Sequence, residues 1–347
     1  MPAPKNPFQP YADRHKEIKG PGDARPTALE VVQDLGLNNT LTNRVFLVTG
    51  CTAGLGIETA RALYATGAHV FMTVRDVAKG SSVIKDIRSS SPDSHGSLTL
   101  LEVDLSSFAS IRAGVTDFLS KSTRLDVLIC NAGVMMCPYS TTAEGFEMQL
   151  GTNHYGHFLL FQLLKSVLEE SSTPEHTSRV VFVSSSGHSM GPIRFDDMNF
   201  SGGATYDKHL AYAQSKTANI YAASSIERHF GSSTPAIHGI SVHPGAIMTD
   251  LARHMTPADF ESFGASWLEI QKIMKNPQQG AATQVWAAVT PYFNDKGGVY
   301  CTDVGEAGPM TESTLPGGPG YYEPHAYDQE AEEKLWSISC EAVGVNV

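Results

Sequence analysis

The sequence predicts an α/β protein in which helices flank a doubly wound, parallel sheet of seven strands. From Arg44 onward, short runs rich in β-branched residues alternate with helical patterns. Nearly every run is apolar throughout rather than alternating, as in strands that helices cover on both faces. Five of the runs end in polar or glycine residues, at the edge of the sheet where such folds bind ligands. The runs are RVFLVTG (44–50), HVFMTVR (69–75), SLTLLEVDL (97–105), LDVLICNAG (125–133), RVVFVSS (179–185), IHGISVHPG (237–245) and GGVYCTD (297–303).

Composition excludes several classes of protein. The chain has 347 residues, 41% of them hydrophobic, which is enough for a well-filled core. Its formal net charge of -11 argues against a surface that binds nucleic acid or an anionic bilayer. The five cysteines are scattered, without the paired spacing of metal sites or disulfide scaffolds, and predict free thiols and no metal. Because no apolar run has the length of a signal peptide or a membrane span, we expect a cytoplasmic protein.

Residues 1–40 differ from the rest of the chain and predict an N-terminal extension. The stretch up to Arg25 is rich in Pro, Gly and charged residues, which is typical of a loose arm. The amphipathic stretch from Pro26 to Leu37 predicts a short helix with proline at its start.

The first strand leads directly into a glycine-rich loop, Thr49–Gly56, which is followed by a helical pattern. Glycines at such a place let the backbone turn sharply and bring helix N–H groups against a pyrophosphate. The spacing is G-xxx-G-x-G rather than the G-x-G-x-x-G of the common dinucleotide fingerprint. A tight turn between strand and helix that binds nothing is the alternative.

The second and third runs end in residues that bear on the choice of cofactor. Arg75 stands where a carboxylate would accept hydrogen bonds from the ribose of NAD, and a guanidinium there would pair with the 2'-phosphate of NADP. It therefore favours NADP(H), unless it is a solvated arginine beside Asp76. Asp104 would hold the adenine amino group, or alternatively lie at the N-terminus of the following helix.

Tyr212 and Lys216 lie four positions apart in a helix predicted from about His209 to Phe230. Residues at that spacing share one helix face, so the phenol and the ammonium can point to the same cleft. A phenol is a poor acid–base catalyst at neutral pH, and a neighbouring cation stabilises its phenolate form. The alternative is a core tyrosine beside a lysine that extends to solvent.

Two further segments support a catalytic role for this helix. The fifth run ends in Ser184–Ser186, which places hydroxyls at the carboxyl edge of the sheet, where they can polarise a substrate oxygen. Triple serine is otherwise ordinary turn chemistry. Asn153 opens an apolar helix, where asparagine is unfavourable unless it has a function such as holding a water that relays protons to the lysine.

These motifs fall in the order and places typical of the short-chain dehydrogenase/reductase family, which the sequence resembles over roughly residues 40 to 345. Within the family it looks most like the retinol-dehydrogenase and WW-domain-oxidoreductase-like branch, through TVRDVAKG, NHYGHFLL, VSSSGH and HPGAIMTD. Fungal members look especially similar, because they share a stretch like RPTALEVVQDLGL. The resemblance implies a Rossmann-type fold and a single dinucleotide-binding catalytic domain over 41–347.

The resemblance also implies roles for individual residues. Ser185 would orient the substrate oxygen, Tyr212 would be the acid–base, Lys216 would bind the nicotinamide ribose and tune Tyr212, and Asn153 would complete the proton relay. The cofactor contacts implied are Gly50, Gly54, Leu55 and Gly56 at the pyrophosphate, Asp104 and Leu105 at the adenine, Asn131, Ala132 and Gly133 at the central strand behind the cofactor, and Pro244, Gly245, Ile247 and Thr249 at the nicotinamide. Thr52 in the glycine loop and Arg75 complete the predicted cofactor-binding residues.

The expected activity is NADPH-dependent interconversion of a carbonyl and an alcohol on a hydrophobic or aromatic small molecule. The apolar residues of about 251–277 predict either a lid over that substrate or a helix that covers the core; they are Met255, Phe260, Phe263, Trp267, Ile270 and Met274. A catalytically silent cofactor-binding scaffold or sensor is one alternative, and dehydration or epimerisation at the same site is another. A homo-oligomer is compatible with the sequence.

Overall fold

The computed structural model of the protein describes residues 7–256, 259, 267–310 and 320–346. Its strands are β1 (Val45–Val48), β2 (His69–Val74), β3 (Ser97–Glu102), β4 (Val127–Cys130), β5 (Ser178–Val183), β6 (Ile237–His243), β7 (Val299–Thr302), β8 (Gly305–Glu306), β9 (Gly308–Pro309) and β10 (Tyr321–Tyr322). The first eight form one sheet in the order β3-β2-β1-β4-β5-β6-β7-β8, and the last two pair separately.

The predicted parallel sheet is confirmed, with one short addition. Strands β1 to β7 pair in parallel, each within one of the seven predicted runs or one residue beyond it. Strand β8 adds an antiparallel edge to β7. Its two residues are too few to show a strand pattern in the sequence. The winding reverses between β1 and β4, so the crevice at a topological switch point lies beside the carboxyl end of β1.

Helices cover both faces of the sheet. They are α1 (Ala28–Asp34), α2 (Leu55–Ala65), α3 (Val77–Ser90), α4 (Phe108–Lys121), α5 (Gly156–Ser171), α6 (Lys208–Phe230), α7 (Trp267–Ile273), α8 (Pro277–Gly280), α9 (Ala282–Val289) and α10 (Gln329–Val343). One apolar core joins the sheet to α4, α5, α6 and α10, and the other joins it to α2, α3 and α9. Burial on both faces explains why the strands are apolar throughout.

The helix predicted from about His209 to Phe230 is confirmed. Helix α6 begins at Lys208, where the Asp207 side chain caps it, and ends at Phe230. Helix α10 runs from Gln329 to Val343, and the Asp328 side chain caps it by accepting from the Ala331 N–H.

The N-terminal extension packs against the domain. Thr27 caps α1 in a capping box with Glu30, and Pro26 precedes this cap instead of starting the helix. Helix α1 buries Ala28 and Val32 against α2 and α9. The segment before it is hydrogen-bonded to the domain as far back as Phe8, whose N–H donates to the Glu306 carboxylate at 3.0 Å. This differs from the loose arm that composition predicts, because partners distant in the chain satisfy its polar groups.

No helix within the described ranges is both long and apolar enough to cross a bilayer. Across the same ranges, no group of three or more His, Cys, Asp or Glu side chains is arranged to hold a metal ion.

Candidate active site

A cavity of 740 Å³ opens at the carboxyl ends of the parallel strands. It brings together nearly all the residues that the sequence singles out: Gly50, Thr52, Gly54, Leu55, Arg75, Asp104, Leu105, Asn131, Ala132, Gly133, Ser185, Tyr212, Lys216, Pro244, Gly245, Ile247 and Thr249 all line it. Gly56 and Asn153 do not line the cavity; both lie behind the residues that form its wall.

The glycine loop presents a free helix N-terminus to this cavity. Helix α2 begins after Gly54, which has φ +57° and provides no side-chain cap. The first N–H groups of a helix lack intrahelical partners and attract an anion. A Cβ on Gly56 would lie 2.2 Å from the Gly50 carbonyl oxygen, so only glycine lets α2 approach β1 this closely. The uncapped N-terminus and the close backbone approach fit a pyrophosphate.

Asn131 supports the loop through its own hydrogen bonds. Its side-chain amide donates to the Thr49 carbonyl at 2.7 Å and accepts from Gln284 at 3.0 Å. The Thr49 hydroxyl accepts from the backbone N–H groups of Asn131 and Ala132, both at 2.9 Å. These bonds hold the ends of β1 and β4 together, so Asn131 forms the framework behind the cavity.

The end of the cavity beside the carboxyl end of β2 carries positively charged side chains. Arg75 is exposed on the cavity wall, while the Asp76 carboxylate turns away to cap the Lys79 backbone N–H at 2.9 Å. Lys79 lines the same wall. Sequence reasoning missed this lysine, although its position four residues after Arg75, in the first turn of α3, was a usable signal.

Asp104 also lines the cavity and does not cap a helix. Its Oδ1 accepts hydrogen bonds from the backbone N–H and the hydroxyl of Ser106, at 2.9 and 2.7 Å. The cap of α4 is Ser107. Of the two alternatives that the sequence left open for Asp104, the helix cap is therefore wrong.

Tyr212, Lys216 and Ser185 meet in the cavity. The Tyr212 phenol lies beside the Ser185 side chain; burial raises the pKa of Tyr212 to about 12, and the Ser185 hydroxyl partly opposes that rise. The Lys216 ammonium donates to the Val183 carbonyl oxygen at 2.9 Å and lies 5.5 Å from the centre of the Tyr212 ring. Burial lowers the pKa of Lys216 to about 8. A buried phenol beside a buried cation can pass a proton to a ligand in this cavity.

Gly187 leaves room for the Tyr212 ring, which sequence reasoning missed. A Cβ on Gly187 would lie 2.8 Å from the ring carbon Cε1. The only signal in the sequence was a glycine directly after the three serines.

The Asn153 side chain does not reach the cavity. Its Oδ1 accepts from the Val134 N–H at 2.8 Å, and its Nδ2 donates to the Val134 carbonyl and the Ser215 hydroxyl, both at 2.9 Å. Its backbone carbonyl accepts from Nδ1 of His157 at 2.9 Å. The amide is therefore fully engaged, unlike the water-holding side chain that the sequence suggested. A π-helical turn, Gly151–Tyr155, precedes α5 at this point.

His157 connects Asn153 to the glycine loop. Its Nδ1 must carry the hydrogen, because a carbonyl oxygen only accepts, and its Nε2 then accepts from the Thr49 hydroxyl at 2.8 Å. Burial lowers the pKa of His157 to about 4, so the ring is neutral. Sequence reasoning missed this residue, since nothing local shows that it contacts a residue 108 positions away.

Flexible apolar side chains form the other half of the cavity. Of the predicted lid residues, Met255, Ile270 and Met274 line it. Phe260 and Phe263 lie outside the described residues, as does the Trp267 side chain. Leu251 and Ile273, within the predicted segment of about 251–277, also line it, as do Met135, Met136, Met190 and Met248 from other segments. Methionine adapts to irregular apolar ligands because its chain is unbranched and polarizable.

Comparisons with known proteins agree with this geometry. A family model described as short chain dehydrogenase matches residues 44–197. The short-chain dehydrogenase/reductase prx1 of Penicillium roqueforti is 44% identical over 337 residues, which cover 97% of this chain and 95% of that protein. Human retinol dehydrogenase 11 is 38% identical over 307 residues, 88% of each chain. Among solved structures, the Pseudomonas aeruginosa RhlG/NADP active-site complex matches with a TM-score of 0.59 and 25% identity, over 75% of this chain and 94% of that one.

Proposed function

The chain belongs to the short-chain dehydrogenase/reductase family, and from that premise we propose that it is an NADPH-dependent enzyme that interconverts a carbonyl and an alcohol. Members of this family are oxidoreductases that bind a nicotinamide cofactor. The observation that carries the proposal is the meeting of Tyr212, Ser185 and Lys216 in a cavity that also contains the uncapped N-terminus of α2. The substrate is a hydrophobic or aromatic small molecule, since apolar side chains line its half of the cavity.

In the direction of reduction, the hydroxyls of Ser185 and Tyr212 bind the carbonyl oxygen. NADPH, when bound, supplies the hydride that reduces the carbonyl carbon. The Tyr212 hydroxyl donates its proton to the oxygen as negative charge develops there. Lys216 stabilises the phenolate that remains, because its ammonium is held within the same buried pocket by the Val183 carbonyl. Oxidation of an alcohol follows the same path in reverse.

Asn153 acts in this scheme through position. Its amide fixes the Val134 backbone, and a Cβ built on the neighbouring Gly133 would lie 3.1 Å from Asn153 Oδ1 and 3.6 Å from the Lys216 ammonium nitrogen. It thereby orders the segment beside the lysine through which protons return to Tyr212.

The preference for NADP(H) rests on Arg75 and Lys79, two cations on the adenosine side of the cavity. A 2'-phosphate would pair with both, whereas the ribose hydroxyl of NAD would meet Arg75 at the end of β2, where the Asp76 carboxylate already caps the Lys79 N–H. The RhlG complex, whose name includes NADP, supports this choice. We place the enzyme in the cytoplasm, where NADPH favours reduction.

The test is consumption of NADPH with a panel of quinones, ketones and aldehydes, followed at the nicotinamide absorption band. We expect turnover with apolar carbonyls and a lower KM for NADPH than for NADH. Cofactor binding without turnover of any carbonyl or alcohol would instead indicate a silent scaffold. Product formed without net consumption of NADPH would indicate dehydration or epimerisation.

The cofactor preference has its own test in Arg75→Ala. Loss of the guanidinium should weaken NADPH binding by about tenfold and leave NADH binding nearly unchanged. Arg88→Ala, which removes another exposed arginine of the same region, is the matched control. An equal effect of Arg75→Ala on both cofactors would reject the contact with the 2'-phosphate.

A further inference from the structure

Arg25, in the N-terminal extension, is buried to an unusual degree for an arginine. Its side chain is 3% exposed, and its guanidinium pairs with the Asp23 carboxylate at 2.8 Å. It also donates to the carbonyl of Gly20 at 3.1 Å. A buried guanidinium is costly unless its donors are satisfied, so its remaining partners show what this residue is built to hold.

Those remaining partners lie about 250 positions further along the chain, at the end of α7. The guanidinium donates to the backbone carbonyl of Ile273 at 2.8 Å and to that of Met274. The last carbonyls of a helix have no intrahelical partner and favour a cation. Arg25 therefore caps α7 at its C-terminus with a side chain from the other end of the chain.

The segment that Arg25 holds is a wall of the cavity and not part of either apolar core. Ile270, Ile273 and Met274 line the cavity, and none of the three belongs to the apolar clusters of the described chain. This wall therefore lies apart from the clusters that cover the sheet, although Ile270 and Met274 are themselves buried. Hydrogen bonds also hold it, and those that Arg25 donates are buried and charge-assisted.

A second set of bonds ties the same segment to the strand end beside Tyr212 and Lys216. The Lys275 N–H donates to the Ala246 carbonyl at 2.8 Å, and its ammonium pairs with Asp303 at 2.7 Å. A Cβ on Gly245 would lie 2.9 Å from the Lys275 side chain, so the wall sits directly against the Pro244–Gly245 turn. A displacement of α7 would thus change the shape of the substrate end of the cavity.

The extension itself is anchored on the domain beside this wall. Gln279, in α8, donates to the Asp23 carboxylate and to the Arg25 carbonyl, both at 3.1 Å, and accepts from the Gly22 N–H at 2.9 Å. The segment around Arg25 therefore has a fixed support from which to hold α7.

We propose that Arg25 is a positioning residue for substrate: it holds the α7 wall so that Ile270, Ile273 and Met274 close around the apolar part of a bulky carbonyl compound. This inference rests on the proposed function. It makes the N-terminal extension a determinant of substrate specificity rather than a passive appendage.

The experiment compares Arg25→Met, which keeps length and removes every donor, with Arg25→Lys, which keeps the charge and loses the fork. Lys19→Gln is the matched control, because it removes an exposed charge from the same arm. Arg25→Met should raise KM for a bulky apolar carbonyl by about tenfold and leave KM for a small aldehyde and Kd for NADPH within about twofold. The KM of Arg25→Lys for the bulky carbonyl should lie between those of Arg25→Met and the wild type, since one ammonium can still donate to a carbonyl of α7.

Hydrogen exchange provides a readout that does not depend on turnover. In Arg25→Met, amides of 270–276 should exchange about tenfold faster than in the wild type, while those of β1 and β4 should keep their rates. Unchanged exchange and unchanged KM would overturn the inference. So would faster exchange with equal losses for bulky substrate, small substrate and NADPH, which would indicate a purely structural role. A wild-type protein inactive on every carbonyl would refute the proposed function, and the exchange rates would still decide whether Arg25 holds α7.

Discussion

The cofactor half and the substrate half of the cavity are held in place by different means. In the cofactor half, the walls are backbone: glycines allow β1 and α2 to approach each other, and Thr49 and Asn131 hold two strand ends together. In the substrate half, the walls are methionine and other apolar side chains on segments outside the two main cores. A wall made of main chain suits a ligand that stays the same, such as a cofactor. A wall made of side chains can be changed by substitution without disturbing the sheet.

Tyr212 lies where the two halves meet, and its loss should have the largest effect. Tyr212→Phe removes the proton donor and should lower kcat by about 1000-fold while Kd for NADPH stays nearly constant. Steady-state kinetics and a fluorescence titration measure the two quantities. Tyr221→Phe is the control, since its hydroxyl lies on the same helix but bonds to the His325 carbonyl. A Tyr212→Phe enzyme of undiminished rate would remove the basis for the assigned mechanism.

The burial of the Lys216 ammonium lowers the stability of the folded protein. Burial holds its pKa at about 8 in the folded protein, below the ordinary value of 10.5. The unfolded chain therefore binds more protons between these two pH values, so this lysine destabilises the fold at neutral pH and the cost disappears as pH rises through 8 towards 10.5. Lys216→Met should abolish activity and raise the free energy of unfolding by about 3 kcal/mol at pH 7.

The extra free energy of unfolding in Lys216→Met should decrease steadily above pH 8. Denaturant unfolding at a series of pH values measures this decrease. Lys85→Met, at an exposed lysine, should show no such dependence. A gain that stayed constant from pH 7 to pH 10 would mean that the ammonium is not destabilised by burial.

Gly56→Ala tests the backbone wall of the cofactor half. The added Cβ would lie 2.2 Å from the Gly50 carbonyl oxygen, so the loop must shift and destabilise the fold by about 2 kcal/mol. We expect NADPH affinity to fall by about tenfold. Gly308→Ala is the control, because its nearest neighbour would be 3.7 Å away. Normal NADPH affinity in Gly56→Ala would show that the loop tolerates movement and would weaken the contrast between the halves.

Met248→Ala tests the side-chain wall of the substrate half and should have the smallest effect. Met248 lines the cavity and is 49% exposed, so unfolding should change by no more than about 0.5 kcal/mol. KM for a bulky apolar substrate should rise about threefold, with Kd for NADPH unchanged. If NADPH binding were lost as well, the two halves would not be separable in the way that their construction indicates.

Much of the fold and of the site followed from local patterns. Strands β1 to β7 were recognisable because both of their faces are buried, and the glycine loop because a strand precedes it and a helix follows. The two-residue strand β8 and the π-helical turn at Asn153 leave no comparable pattern. Lys79 lies on the same wall as Arg75, and its spacing from Arg75 in the first turn of α3 was the only signal for it.

Features that depend on short-range geometry could be predicted from the amino-acid pattern: the order of strands and helices, the start of α2 after the glycine loop, and the phenol and ammonium on one face of α6. Three contacts became visible only in the folded chain: Arg25 caps α7, the Asn153 amide is hydrogen-bonded to Val134, and His157 is hydrogen-bonded to Thr49. The physical reason is separation along the chain. A helical spacing of four is set by backbone geometry, whereas contacts between distant residues are set by how the whole chain packs.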